Sequence, residues 1–412
     1  MARIRKRPVR LRAGPMFMGL LAAAMCGGSQ AEVVEPISES TVVRAALQLG
    51  AARELRAAGL DAASGERDRA GRWSNPEIGW NQEKLDGSVD STETVYGLTQ
   101  TIPLGGKLSL ERDAAARRYD AAEQAARGGD VERATAARRA FTEALYHDGA
   151  AAVHWRWADE LGRAVRAVDA LAKAGDASRY DAERVARAAA NARALAAAAD
   201  AERLHARERL VGLTGEPSLR SAALAGDPPA PLRPLEAYLG KVAADPRLRE
   251  LASRAEAAEL ESQRAGRRWV PDLAVTVGQK TVDVAGESES GLVLGFSVPV
   301  PLFDTGSAEK RQLAGEARML RSHYVLRLAG READVRGTWE LARSLERTAS
   351  DLPPSTSLGQ VASAAYQGGE GTLLELIDAY DAERETALVS LELSQRARLA
   401  RIELDALVGV IP

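Results

Sequence analysis

From Gly291 to Val300 the chain alternates. Leu292, Leu294, Phe296, Val298 and Val300 fall on one side of an extended backbone; Val293, Gly295, Ser297 and Pro299 fall on the other. A period of two predicts a strand, and here one face is bulky and uncharged while the other is small. The run stops at Pro301-Leu302-Phe303-Asp304, before a long helical stretch of Ala, Arg, Glu and Leu. The same order occurs earlier: Thr94 to Leu104 carries Tyr96, Leu98 and Ile102 on its apolar face, and Gly105-Gly106-Lys107 leads into another helix. Each strand has a partner ahead of it across a polar turn. Trp73 to Lys84 sets Ile78 and Trp80 against Glu77, Gly79, Asn81 and Glu83; Trp269 to Lys280 sets Leu273, Val275 and Val277 against Asp272, Thr276, Gly278 and Lys280. Any fold must therefore house two hairpins, 73–103 and 269–301, each with one apolar face and one polar or small face.

Strands of about ten residues have the length that crosses an outer membrane. After residue 31 no segment is long and apolar enough for a membrane helix, so entry into a membrane would be by strands. Four strands cannot close a barrel, since about eight is the smallest closed form. An open sheet in lipid would leave edge backbone groups unpaired at several kcal/mol each. Spanning thus requires several chains, two giving eight strands or three giving twelve. The alternative is a pair of soluble hairpins packed on each other. The turns Leu85–Thr92 and Val282–Glu289 are charged, and the inward faces are rich in Glu, Asn, Thr, Gly and Lys. A sandwich core would not hold those side chains; a water-filled lumen would.

The rest of the chain reads as helix. Hydrophobic residues make up 45% of the sequence but aromatic ones only 4%, a composition that suits long helices packed side by side better than a globular core. A short helix is expected over Ser38 to Leu60, with a loose charged stretch from Gly65 to Gly71. Lys107 to Ala174 follows, with Gly128-Gly129 as a weak point, and Gly175-Asp176 breaks it. Ser178 with Asp181 reads as a capping box, opening a helix to Leu210. Leu235 to Arg268 and Gly306 to Ser350 are helical, Asp351-Leu352-Pro353-Pro354 interrupts, and Gly368 to Gly371 is a break. Thr372 with Glu375 is a second capping box, and the last helix runs to Leu407. Landmarks recur at a nearly constant offset: Trp73 and Trp269 lie 196 apart, Pro103 and Pro301 198, Gly175 and Gly369 194. The chain reads as residues 1–31, a first repeat 32–216 (hairpin 73–103, long helices 107–212), a Pro-rich linker 217–234, and a second repeat 235–412 (hairpin 269–301, long helices 306–408).

Residues 1–31 read as an export signal. Arg3, Arg5, Lys6, Arg7, Arg10 and Arg12 form a basic start, Met16 to Met25 an apolar run, and Ser29-Gln30-Ala31 a small-residue cleavage site. Cys26, the sole cysteine, lies inside it, so a mature chain from Glu32 has neither disulfide nor thiolate site. Lys and Arg number 55 against 58 Asp and Glu, interspersed, for a net charge of −3. This gives no support to nucleic-acid binding. No nucleophile–base set, phosphate loop or metal-ligand cluster is visible, so no enzyme, cofactor or resident metal is expected. The four histidines, His147, His154, His205 and His323, fall at no i,i+4 chelating step and read as packed or solvated.

With hairpins, long helices and the run Tyr366, Gly369-Glu370-Gly371-Thr372-Leu373-Leu374-Glu375-Leu376-Ile377-Asp378 in this order, residues 38 to 410 resemble the TolC-like outer-membrane factor family. Asn75-Pro76-Glu77, Leu98 to Lys107 and Val298 to Asp304 are similar to its heavy-metal, CzcC-like branch. The resemblance implies an α+β membrane protein: a transmembrane β-barrel of four strands per chain, closed as a homotrimer, above a long α-helical coiled-coil barrel that crosses the periplasm. It further implies a passive exit duct for heavy-metal cations, in the lipid of the outer membrane, with a periplasmic adaptor (membrane fusion) protein and an inner-membrane RND pump as partners. Organic compounds or proteins are alternative cargoes, and a periplasmic adaptor or scaffold without a pore is the alternative from another class.

Within that resemblance Glu375 and Asp378, one helical turn apart, would line the periplasmic mouth, where three copies form a constricting ring that favours cations. Glu375 is also the acid of a capping box, which accounts for it without a pore. The turns at Gly175, Ser178 and at Gly369, Thr372 would be the tips that meet the adaptor, although any antiparallel helix pair needs such turns. Trp73, Trp80 and Trp269 fall where an aromatic girdle would sit; Trp155, Trp157 and Trp339 read as helix packing.

Overall fold

The computed structural model describes residues 36–226, 231–352 and 358–411. The expected export segment with Cys26, and Pro353-Pro354, lie outside the described residues.

Four antiparallel strands form one sheet in the order β1 (Glu77–Leu85), β2 (Ser91–Ile102), β3 (Leu273–Val284), β4 (Glu287–Ser297). The two hairpins are joined by the β2–β3 pairing, Ile102 opposite Leu273 through Ser91 opposite Val284. They therefore do not stack as a sandwich. Cross-strand partners share a face, so the register fixes what each face carries. One face holds the row Ile78, Leu98, Val277, Leu294 and the row Trp80, Tyr96, Gln279, Leu292. The other holds Glu77, Thr99, Thr276, Gly295, then Gly79, Gly97, Gly278, Val293, then Asn81, Val95, Lys280, Gly291. On this second face Thr99 and Thr276 share a hydroxyl hydrogen bond of 2.8 Å, and Lys280 pairs with Glu93 at 2.5 Å.

Both predicted hairpins form, but with different ends. Trp73 and Trp269 precede their strands, which start only after Pro76 and Pro271; proline donates no ladder hydrogen bond and sits at strand starts. The expected turn Val282–Glu289 is mostly strand: Val284 pairs with Glu287 across a two-residue turn, Ala285 and Gly286, both at positive φ (53° and 90°). That is the backbone of a tight hairpin turn. The first hairpin instead has the five-residue loop 86–90, where Gly87 donates its N–H to Asp90.

Below the sheet run nine helices among the described residues. They are α1 (Glu39–Gln48), α2 (Gly50–Arg69), α3 (Lys107–Ala174), α4 (Arg179–Thr214), α5 (Leu235–Leu239), α6 (Pro246–Ala265), α7 (Ser307–Asp351), α8 (Leu358–Gln367) and α9 (Leu373–Leu407). The 68 residues of α3 span about 100 Å at 1.5 Å each. The weak point expected at Gly128-Gly129 does not break it; Gly128 is buried, and there Arg247 of α6 passes close by. The single helix expected over Ser38–Leu60 is two, parted by Leu49 at an extended ψ of 128°, and α2 continues through the stretch expected to be loose. The helix expected from Leu235 is likewise split. Buried Asp245 caps α6 by accepting the Arg247 N–H at 3.1 Å, and Pro246 takes its first position, where a missing N–H costs nothing. The opposite Asp245 oxygen lies 3.4 Å from Arg331 of α7.

Packing between helices is mostly alanine. Along α3 the buried set includes Ala134, Ala137, Ala140, Ala144, Ala151 and Ala158, steps of three, four and seven that line one face. One apolar cluster joins α1, mid-α3 and the end of α4 around Phe141 and Leu210; a second joins α5, α6, α7 and the end of α9 around Leu248, Val335 and Leu404. Buried charges fasten the seams. Arg207 of α4 pairs with Asp148 of α3 and donates to the carbonyls of Leu219 and Ala222, holding down the connector after α4. Arg138 joins α1 and α9 to α3 through Glu39 and Asp405.

In the glycine row the strands approach closely at Gly278. A Cβ on Gly278 would lie 2.3 Å from the Tyr96 carbonyl oxygen, whereas one on Gly291 would meet nothing within 4 Å. Gly278→Ala is expected to destabilise the sheet by about 1–3 kcal/mol, as overpacking does, and Gly291→Ala by much less. Urea midpoints of both variants in detergent micelles check this; equal midpoints would remove the close approach from the account of the sheet.

Candidate functional site

Two regions could serve function: the sheet and the end of the bundle farthest along α3 from it. Ile78 is 87% exposed, Leu292 74% and Phe296 73% on one and the same sheet face. A contiguous apolar face of this extent does not stay in water. Among the described residues no helix is long and apolar enough to cross a membrane, while β2 and β3, of 12 residues each, have the length of tilted spanning strands. The opposite face, with its glycines, threonines, Asn81, Glu83 and Lys280, is fit for water.

At the far end the structure brings together both predicted turns. The end of α3 and the start of α4 share an apolar cluster with the start of α9: Leu161, Val168, Val185, Leu373, Leu376 and Tyr380, with Ala177 and Tyr366 against it. The turns use one device. Gly175 has φ 91°, and the Asp176 N–H reaches back to the Leu171 carbonyl at 2.9 Å; Gly369 has φ 76°, and the Glu370 N–H reaches the Ala365 carbonyl at 2.9 Å. Such left-handed residues close helix ends, and glycine adopts them without a Cβ penalty. Ser178 then caps α4: its Oγ accepts the Asp181 N–H at 3.0 Å and donates to the Asp181 carboxylate at 2.7 Å. Thr372 caps α9 in a full capping box, with its own N–H donated to Glu375 at 2.7 Å.

Glu375 and Asp378 consequently differ. The Thr372 backbone N–H, and then its hydroxyl, hold the Glu375 carboxyl below its usual value; the side chain is exposed but committed to the cap. Asp378 is exposed on the next turn and makes no hydrogen bond or ion pair among the described residues. Farther along the same helix Glu385 is likewise exposed and unpaired among them, while Glu392 is paired with Arg396 at 2.6 Å. Of Glu375 and Asp378, the two acids that the sequence placed together at this end, Asp378 is the one with its charge unspent.

Sequence reasoning missed a polar seam one helical stretch behind the mouth. A cavity of about 730 Å³ lies between α3, α8 and α9, lined by Arg156, Glu160, Arg163, Gln360, Tyr380 and Glu383. Glu383 accepts the Gly359 N–H at 3.0 Å, and Arg384 stacks over Trp157 at 4.3 Å. Burial raises the Glu160 carboxyl, and the neighbouring Glu383 charge raises it further. Burial, then Arg384, lowers His154, whose ring meets Trp157 edge-on. No local signal could have revealed this seam, because α3 and α9 are more than 200 residues apart in the chain. Trp157 is buried as expected and Trp339 donates to the Arg233 carbonyl at 2.9 Å, but Trp155 is 43% exposed and is not packed within the protomer. No group of three or more His, Cys, Asp or Glu able to hold a metal occurs among the described residues.

A sheet with one lipid-ready face, set on a helical bundle whose longest member runs about 100 Å, fits an outer-membrane channel with a periplasmic helical extension. Residues 47–216 match the family described as "Outer membrane efflux protein". The chain is 25% identical over 329 residues to the nickel-cobalt-cadmium resistance protein NccC of Alcaligenes xylosoxydans xylosoxydans, covering 76% of this chain and 72% of that protein. It is 28% identical over 336 residues to the nickel and cobalt resistance protein CnrC of Cupriavidus metallidurans, covering 74% of each. Its fold superposes on a crystal structure of the transmembrane channel CusC with a TM-score of 0.73 at 16% identity, over 90% of this chain and 92% of that one. Over residues 47–216 the chain thus matches the outer membrane efflux protein family, and over nine tenths of its length its fold is that of the TolC-like outer-membrane efflux channels. That likeness implies trimeric assembly within tripartite efflux pumps.

Two tests follow from the mouth and the seam. Glu160 is raised in the folded state, so its contribution to stability is fully present below its unfolded value and is lost as pH rises through the folded one. Glu160→Gln is therefore expected to melt higher than wild type at neutral pH and to converge with it in acid, which thermal circular dichroism reads. Thr372→Ala is expected to cost about 1 kcal/mol through the lost N-cap, seen as faster backbone hydrogen exchange confined to the first turns of α9.

Proposed function

We propose that three copies of this chain form the exit duct of a tripartite system that expels divalent metal cations of the nickel and cobalt kind. A periplasmic adaptor would meet the tips at Gly175–Ser178 and Gly369–Thr372, and an inner-membrane RND pump would supply the energy. The observation that carries the cargo is the likeness, across about three quarters of the chain, to two proteins that are both named for nickel and cobalt resistance. Closure by neighbours is supported by the open edges. Among the described residues β1 and β4 pair on one side only, and twelve strands would leave no edge in lipid. On α7, Met319, Leu326 and Leu341 stand exposed on steps of seven and fifteen residues, and Cβ atoms added at Gly330 and Gly337 would meet nothing. Such a stripe fits a neighbouring helix.

At the mouth three Asp378 carboxylates would form a ring. A ring of unspent negative charge lowers the barrier for cations and raises it for anions, and weak multi-site attraction permits release. Glu375, held in its cap, would contribute to the field without changing shape as ions pass.

A strain lacking this protein is expected to lose tolerance to nickel, cobalt and cadmium while keeping its tolerance to organic toxicants. Loss against organic compounds alone would sink the metal cargo and leave the channel standing. In planar bilayers Asp378→Asn is expected to reduce the cation-over-anion permeability ratio several-fold, with Glu375→Gln smaller; an unchanged ratio for Asp378→Asn would remove the ring.

A further inference from the structure

The sheet's apolar band has an aromatic rim at each end. At the upper rim Trp80 and Tyr96 are cross-strand partners, and the rows beyond them turn polar: Gln82, Thr94, Thr281, Ser290. At the lower rim, where strands give way to helices, Trp73 is 55% exposed, Trp269 63% and Phe303 100%. Trp and Tyr rings, apolar at one end and hydrogen-bonding at the other, settle at a membrane's headgroup level, and Phe303 adds apolar surface beside them.

The charge beside this lower rim is unbalanced. In the four junction segments 69–76, 103–113, 264–272 and 298–311 the sequence carries nine basic and five acidic residues, although the whole chain is net negative. Three of the acids are already spent: Asp272 on Lys107 at 2.6 Å, and Asp304 and Glu309 on Arg268 at 2.9 and 2.7 Å. Arg72, Lys310 and Arg311 are exposed, and among the described residues their side chains make no ion pair or hydrogen bond. Arg72 is the neighbour of Trp73. Lys310 closes the first turn of α7 and Arg311 opens the second, near the end where the helix dipole disfavours cations, so an anion from outside would relieve them.

We propose that this collar is a binding surface for anionic phospholipid headgroups of the periplasmic leaflet, with Arg72, Lys310 and Arg311 taking the phosphates while Trp73, Trp269 and Phe303 anchor at the acyl boundary. The occupant follows from charge complementarity and depth: the collar lies directly below the apolar band, on the side of the helices, where a phospholipid phosphate sits. Basic clusters at a membrane face select anionic lipids by this means. The inference rests on the outer-membrane placement and is independent of the cargo.

The full-length trimer, purified in detergent, is titrated with phosphatidylglycerol or with phosphatidylcholine of the same acyl chains, and bound lipid is counted by native mass spectrometry. The expected result is a preference for phosphatidylglycerol of about tenfold at low salt, falling as salt is raised. The triple variant Arg72→Gln, Lys310→Gln, Arg311→Gln is expected to remain a trimer, to bind phosphatidylcholine as before and to lose the preference. Equal binding of the two lipids by the wild type overturns the proposal without any variant. A triple variant that keeps the preference overturns the assignment to these residues. One that falls to monomers in phosphatidylcholine assigns them to the contact between copies instead. Conductance in bilayers of phosphatidylcholine alone stays intact if only the collar is wrong, so failure here leaves the channel reading in place.

Discussion

Backbone hydrogen bonding in hydrocarbon is the constraint on which the rest of this chain depends. A strand edge in lipid has no water to turn to, and each unpaired group costs several kcal/mol. With β1 and β4 paired on one side only among the described residues, the protomer's sheet is a fragment of a closed wall and not a finished one. The requirement reaches into the side chains. The lipid face carries Ile78, Leu98, Val277 and Leu294 in one row, and its backbone neighbours alternate to Gly97, Gly278 and Gly295 on the other face, where bulk would oppose curvature.

The same logic of incompleteness governs the helices. In α2 no residue is buried within the protomer, and the 45 residues of α7 bury only Ala317, Val335 and Ala342. A helix that buries so little in its own chain gains the rest of its stability from tertiary contact elsewhere. Alanine makes this workable: it has the highest helix propensity and lets neighbouring axes approach without large side chains to interlock. What large residues there are sit at seams, Phe141 and Leu210 in one, Leu404 and Leu248 in another, and buried pairs such as Arg207 with Asp148 fix which helix lies against which. Truncating one member of such a pair leaves the other buried and uncompensated, which costs more than the pair contributes.

The features legible in the sequence were those with a short period or a local signature. Alternation gave the two faces of the sheet within the strands, although Val298 and Val300 fall beyond the end of β4; Gly175 and Gly369 gave the helix ends, and the Thr372–Glu375 spacing gave a cap that the structure contains in full. The strand ends were misjudged because alternation at Trp73 and Trp269 continues past Pro76 and Pro271, and prolines overrule periodicity by removing a donor. The split at Leu49 was invisible since nothing in its residue type disfavours helix; it bends where it packs over Gly215. The seam of Glu160, Glu383, Arg384 and Trp157 is a meeting of α3 with α9, and a carboxylate's neighbours across such a distance in sequence leave no pattern to read.

In the proposed ring, Glu375 and Asp378 would keep structural and functional charge apart on one helix. Both are acids near a helix start, where the dipole welcomes them, and three residues place them on one face. The first is consumed by the fold: the Thr372 N–H and hydroxyl occupy its oxygens and hold its carboxyl low. The second has no partner among the described residues, so the fold gains little from its charge, and in the proposed ring its field would act on whatever passes. A passive channel does no chemistry and needs no buried base or metal. The residues it uses on its cargo are those that the fold can spare, exposed and unpaired, and they are found by asking which charges have no structural account.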